Sequence, residues 1–300
     1  MERFEEDSIH VKYLVVNALD KEWGLFVNSV GYQHIEKGAA YPPANHPMRY
    51  LFSTERGRVL DEYQLLYITR GKGYFRSAHC PECAVDEGRM FLLFPGEWHS
   101  YHPDPTTGWD EYWIGFNGIN MTAREDAGFF TKEHPLYHIG LQEMLVKMYL
   151  QAIDVARRQD SGFQQLLASI VNYLIGYAYL TDKQASFGER KWVTQINKAK
   201  LLMSENISSD ISFEQLAGNL NMSYSSFRKL FKQYTGFSPN QYFIEIKMQK
   251  IKEMLTNTEW DVMEIAYRMG FSDPNYFCTL FKRKTGFTPA NYRRSTRMMH

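Results

Sequence analysis

The 300-residue sequence predicts a multidomain α and β protein: a β-rich N-terminal half followed by helices, then an all-helical C-terminal third. Three observations predict it. Apolar and β-branched runs alternate with Gly/Pro turns from about residue 23 to 118. The period then turns helical from 120 to 180. Finally, LFKQYTGFSPNQYF (230–243) recurs fifty positions later as LFKRKTGFTPANYR (280–293), identical at eight of fourteen positions.

The strand-like runs are GLFVNSVGY, YQLLYITRGKGYF, RMFLLFPGEW and EYWIGFNG, whose spacing suits a small barrel or sandwich. Leu141, Leu145, Met148 and Ala152 form one helical stripe after them, and Leu166, Ile170, Tyr173 and Tyr177 another. TDKQASFGERK, residues 181–191, is polar with Gly and Ser and is expected as a linker. It divides a domain at 1–180 from one at 192–300. The acidic start MERFEEDSIH lacks the basic and apolar regions of a secretory signal. The most apolar stretch, LASIVNYLIGYAYL, falls short of the ~20 residues a membrane span needs. With only three cysteines, a cytoplasmic protein without a disulfide framework is expected.

Formal net charge is zero, yet it is unevenly spread. Residues 192–300 carry fifteen Lys/Arg against nine Asp/Glu, a balance of +6, and the rest of the chain carries −6. A basic third on a neutral protein suggests that this part meets a polyanion.

Extended upstream, each copy of the repeat becomes a helix, a tight turn and a capped second helix. In the first, about 212–236, Ser212 caps a helix containing Leu216, Ala217 and Leu220; Asn221 and Met222 turn the chain, and Ser223 caps the next helix. In the second, about 261–286, Asp261 caps Ile265, Ala266 and Met269, Gly270 turns, and Ser272 is expected as the next cap. This is the helix-turn-helix arrangement. The outer face of the second helix offers Tyr224, Ser225, Arg228, Lys229 and Lys232 in one copy. The other copy offers Pro274, Asn275, Thr279, Lys282 and Arg283. Short polar groups near the helix start suit base edges, and Lys/Arg farther along suit phosphate or guanine. Ile244, Met248, Ile251 and Leu255 mark a joining helix whose ~24 Å span could set two recognition helices about one DNA turn apart.

DVMEIAYRMGFSDPNYFCTLFKRKTGFTPANYRR resembles the DNA-binding domain of the AraC/XylS family of bacterial transcription regulators. That resemblance covers about a third of the chain and implies seven helices carrying two helix-turn-helix units, with 192–206 supplying the first. It implies base contacts at Ser225, Arg228, Lys229, Pro274, Asn275 and Thr279. ITRGKGYF, FLLFPGEWHSYHP and WDEYWIGF resemble, more weakly, the cupin-like sensor barrel of the family's sugar-responding branch. This implies effector contacts at Arg70, Tyr101, Glu111 and Trp113, and dimerisation through helices within 139–180. The segment around Pro42-Pro43 is expected as a lid.

The implied partners are operator DNA, a sugar-like effector, a second copy of the chain and RNA polymerase, with no membrane, cofactor or metal. Two other readings stay open at this level. One is a metal-dependent cupin enzyme fused to a DNA-binding domain, prompted by His99 and His102 and by His79-Cys80 with Cys83. The other is a constitutive regulator with an unoccupied barrel.

Overall fold

The computed structural model describes residues 10–42, 53–187 and 191–297. The chain divides into two units meeting at Ser186 and Phe187. Of the segment expected as a lid, residues 43–52 lie outside the described residues.

The N-terminal unit holds β1 (His10–Tyr13), α1 (Ala18–Glu22), β2 (Phe26–Ile35), β3 (Arg58–Val59), β4 (Tyr63–Ser77), β5 (Cys83–Asp86), β6 (Arg89–Leu93), β7 (Trp98–Pro103), β8 (Trp109–Asn117), α2 (Ile119–Asp126), β9 (Leu136–His138), α3 (Glu143–Arg158) and α4 (Phe163–Phe187). All strand pairs are antiparallel. One path runs β1-β2-β8-β4-β6-β9. The second half of β4 pairs instead with β5 and β7, and β7 with β3. β4 therefore borders both layers. Its change of allegiance falls at ITRGKG, where the register shifts between Ile68 and Arg70 and Gly71 takes φ +85°. A Cβ on Gly71 would sit 2.0 Å from the Gly108 carbonyl oxygen, so only glycine fits this crossing.

Two apolar cores result. One face of the main sheet presents Val27, Val30, Leu65, Tyr67, Ile114 and Phe116 to α3 and α4. The opposite face, with Leu66, Ile68, Phe91, Trp109 and Trp113, is covered by Phe75, Val85 and Tyr101 of the second layer. The helices are pinned by polar groups too. The buried Gln164 amide of α4 accepts from Val27 N at 3.0 Å and donates to Val27 O at 2.9 Å, serving the strand at a register shift in β2. Tyr149 donates to Leu65 O and Tyr67 to Gly140 O.

Several sequence expectations change. β1 and β9 lie outside the predicted strand region. α3 begins at Glu143, leaving Leu141 exposed ahead of it. On α4 the buried stripe is Leu167, Ile170, Val171, Leu174 and Ala178, whereas Leu166 and Tyr173 face outward. An all-round apolar helix does not announce its buried face. The expected linker is helical over 181–187 because α4 continues through it. Its Lys, Gln and Ala are good helix formers.

The C-terminal unit is helical throughout its described residues: α5 (Lys191–Glu205), α6 (Phe213–Asn219), α7 (Tyr224–Thr235), α8 (Pro239–Asn257), α9 (Val262–Arg268), α10 (Pro274–Thr285) and α11 (Pro289–Arg297). The repeat is visible bond by bond. Met222 N donates to Ala217 O and Phe271 N to Ala266 O, each at 3.0 Å, closing equivalent turns around Asn221 (φ +54°) and Gly270 (φ +75°). At the exits, Gly236 and Gly286 both take φ +80°. Thr235 and Thr285 bridge there in the same manner, each donating to the helix carbonyl four residues back and accepting from the N–H two residues on. Ser212, Ser223 and Asp261 cap as expected. The cap of α10 is Asp273, which accepts from Asn275 N, and not Ser272. The second turn is one residue longer, and Pro274 fills the first helical position, where no N–H is needed.

Candidate functional site

Two surfaces concentrate chemistry, one in each unit. In the N-terminal unit it is the enclosed face of the sheet. Glu111 of β8 is 3% exposed there, and the Tyr41 hydroxyl donates to it at 3.3 Å. Burial raises the Glu111 carboxyl to about 8, against the opposing pull of the Arg58 charge and of the hydrogen bond from Tyr41. The Arg58 guanidinium donates to the Tyr101 hydroxyl at 2.5 Å and to His99 Nε2 at 3.2 Å. Burial and then Arg58 push His99 down to about 3. Its neutral ring thus accepts from Arg58 on Nε2 and donates from Nδ1 to Glu97 O at 3.1 Å. Burial also lifts the Tyr101 phenol to about 12. Tyr41, Tyr101 and Trp109 stand around these groups with ring centroids 6.1–6.2 Å apart. Gln33 of β2 faces Glu111 in register and is fully buried. Neither its amide nitrogen nor its amide oxygen has a partner among the described residues. A buried amide left this way costs on the order of 1–3 kcal/mol.

Tyr101, Glu111 and Trp113 are brought to this face, Trp113 lying two residues from Glu111 on the same side of β8. Arg70 is not. The register shift after Ile68 sets Arg70 opposite Asp110 on the outer side, 53% exposed. There it bonds Asp110 at 3.3 Å and His34 at 2.7 Å. The enclosed cation is Arg58, carried by a two-residue strand that has no periodicity to betray it. Gln33 had a signal: it is a polar residue at an inward position of FVNSVGYQHI. His99 and His102 lie three apart on β7 and so point to opposite faces; His102 packs on Tyr74 instead. Among the described residues no group of three or more His, Cys, Asp or Glu is placed to hold a metal ion.

In the C-terminal unit the chemistry lies on α7 and α10. Phe227 and Phe231 are buried on one side of α7, and Phe277, Leu280 and Phe281 on one side of α10. The opposite sides carry exposed Ser225, Arg228, Lys229 and Lys232, and exposed Asn275, Thr279, Lys282 and Arg283. Tyr224 and Pro274 are half-buried at the helix starts, with the Arg228 guanidinium 5.9 Å from the Tyr224 ring. The ion pairs within the described residues of this unit are Lys250–Glu253, Arg268–Glu264 and Lys284–Glu245, which leaves the α7 and α10 cations above unneutralised. Tyr224, Ser225, Arg228, Lys229, Lys232 and Ser238 line one groove. Tyr276 adds an exposed ring beside Asn275 that the sequence reading passed over, because its counterpart in the first copy is Ser226.

Residues 40–174 match the model of the AraC-like ligand binding domain, and residues 216–295 that of a helix-turn-helix domain. The chain is 28% identical over 243 residues to the MmsAB operon regulatory protein of Pseudomonas aeruginosa, spanning 79% of this chain and 76% of that protein. It is 27% identical over 247 residues to the raffinose operon transcriptional regulatory protein RafR of Pediococcus pentosaceus, spanning 81% and 89%. It is 29% identical over 260 residues to the transcriptional activator RhaS of Salmonella, spanning 85% and 88%.

Two outcomes follow from this geometry. Arg228→Ala and Asn275→Ala should each cost about 1–3 kcal/mol in specific duplex binding, measured by fluorescence anisotropy at fixed salt. Lys282→Ala should instead weaken specific and non-specific binding alike and flatten the salt slope by about one. The second outcome concerns pH. A carboxyl raised from 4.5 unfolded to about 8 folded holds its proton longer in the native state. It therefore takes stability away as pH climbs between those values. His99 acts with the opposite sign, but only between about 3 and 6.5. From pH 6.5 to 8 the melting temperature of the N-terminal unit should fall with a slope that Glu111→Gln makes shallower; an unchanged slope in the variant would contradict the assignment.

Proposed function

We propose, for a chain that belongs to the AraC family of ligand-responsive DNA-binding transcription regulators, that its effector is a sugar or related polyol held on the enclosed face of the N-terminal unit. The observation that carries this is the buried Gln33 amide, without a partner among the described residues and opposite Glu111 in register, on a face lined by aromatic rings and Arg58. A polyol presents several hydroxyls, each able to donate and accept, and an apolar ring face. Gln33 and a protonated Glu111 can each donate and accept, Arg58 donates, and Trp109, Trp113 or Tyr101 can stack. A neutral Glu111 leaves Arg58 as the cation of the face, which suits a neutral or weakly anionic ligand. RafR is named for a raffinose operon, and this supports a carbohydrate reading of the effector. In this reading the two strand layers form a cupin-like barrel, and the protein is a cytoplasmic, non-enzymatic regulator that acts on RNA polymerase at the promoter.

α7 and α10 read DNA, with specificity in residues 224–229 and 273–279 and Lys232, Lys282 and Arg283 toward phosphate. Helices within 139–180 make a homodimer. Leu166, Tyr173 and Leu180 lie seven residues apart along α4 and are 44–50% exposed, and Gly176 among them has open space where a Cβ would be. Such a stripe suits close packing against the same helix of a second copy. Effector binding then favours one arrangement of the paired DNA-binding units, by differential contact with the two states.

Thermal melting of the full chain against a panel of mono-, di- and trisaccharides tests the effector reading. A cognate sugar at 100 times its dissociation constant should add about 2.7 kcal/mol. Arg58→Ala should abolish that gain and Arg70→Ala should keep it; loss with Arg70→Ala alone would contradict the site. Leu166→Glu with Leu180→Glu should convert a dimer to monomer in sedimentation equilibrium, and a variant that stays dimeric would remove α4 from the interface.

A further inference from the structure

The interior of the C-terminal unit is two cores and not one. Ile196, Leu216, Phe227, Phe231 and Phe243 form the first, around α5 to α7. Met248, Ile251, Leu255, Ile265, Phe277 and Phe281 form the second, around α9 and α10. α8 contributes to both, and Lys247 stands where it passes from one to the other. This lysine is 5% exposed. Its ammonium donates to Met269 O at 2.9 Å and to Ser209 O at 3.4 Å. It also lies 4.8 Å from the Phe243 ring centroid and 5.3 Å from that of Phe271. Ser209 belongs to the connection leading into α6, and Met269 is the C-cap of α9. One side chain therefore ties the connection entering the first helix-turn-helix unit, through Ser209 O, to the turn of the second, through Met269 O and the Phe271 ring, while the Phe243 ring of its own helix lies beside it. Gly270 closes the same joint: a Cβ there would come 2.6 Å from Ser208 O and 3.5 Å from Lys247 Nζ.

Apolar surfaces slide at little cost, whereas an ammonium between two carbonyls fixes direction as well as distance. A buried charge is also costly to strand, so the joint has one favoured setting and not a range. We propose that Lys247 is a positioning residue that locks the two helix-turn-helix units into one relative setting, so that α7 and α10 engage the duplex as a rigid pair with a fixed spacing. Lys247 faces into the joint and is no part of either recognition face. The inference rests on the DNA-binding reading of those faces.

The test uses the full chain and duplexes selected by the wild type from a random-sequence library, with the two contacted segments located by footprinting. One base pair is then added or removed between the segments, a rotation of about 35°. The wild type should lose about tenfold or more in affinity on either change. Lys247→Met, of similar length but unable to bond either carbonyl, should bind the parent duplex less tightly and lose less than about threefold on respacing. If that variant does not fold by circular dichroism, Lys247→Gln is measured in the same way with the same expectation. A variant that keeps the wild-type spacing profile while binding more weakly throughout overturns the proposal, since Lys247 then contributes stability alone. A wild type that selects no sequence, or protects one segment only, overturns the DNA reading beneath it.

Discussion

A single strand has to serve two layers, and most of the N-terminal unit follows from how β4 does so. It pairs with β6 up to Ile68 and with β8 up to Gly71; from Lys72 onward it pairs with β5 and β7. Without that change the main sheet would have one face on α3 and α4 and the other in water. With it, the second face is roofed, and Glu111, His99 and Gln33 are carried out of solvent. The register shift also decides which arginine is inside. Residue 70 is turned to the outer side, where Asp110 and His34 receive it, and the buried side is left to Arg58. The chemistry of the enclosed face is thus a consequence of topology. A low-dielectric enclosure raises Glu111, depresses His99 and makes the Gln33 amide, which has no partner among the described residues, expensive until something pairs with it.

The C-terminal unit solves a different problem with one device used twice. Each helix-turn-helix unit is small, and a buried Phe pair in each recognition helix supplies much of its core: Phe227 with Phe231, and Phe277 with Phe281. The shared residues Leu, Phe, Thr, Gly and Pro build the helix exit and the entry to the next helix. Phe237 and Phe287, half exposed, precede the Ser238 and Thr288 caps, and their backbone N–H groups are held by Thr235 and Thr285. Conserved architecture inside one chain therefore marks scaffold. The copies diverge on the outward faces: Arg228 and Lys229 in α7, against Cys278 and Thr279 at the equivalent positions of α10.

Much of this was legible in the sequence, and the failures have physical causes. The repeat exposed both helix-turn-helix units because caps, turns and apolar spacing are local properties. Even so, the α10 cap moved by one residue, since Asp273 ahead of Pro274 makes a better start than Ser272. Of the residues expected to contact an effector, Tyr101, Glu111 and Trp113 share the enclosed face, and these sit on strands of plain alternation. Arg70 lies on the outer side because a register shift inverts facing and leaves only a glycine as its trace. Arg58, Tyr41 and Gln33 also stand at this face, beyond the residues expected from the sequence. Arg58 and Tyr41 reach the site through long-range contacts that no local period encodes. On α4, apolar residues on every side hid which stripe is buried, and the helix ran on through the stretch expected as a linker.

The most direct test is a crystal structure of the full chain with the carbohydrate that stabilises it. The account predicts sugar hydroxyls within hydrogen-bonding distance of the Gln33 amide and the Arg58 guanidinium, with a ring face against Trp109, Trp113 or Tyr101. A sugar bound on the outer side beside Arg70 and Asp110, with Gln33 still unpaired, would contradict it.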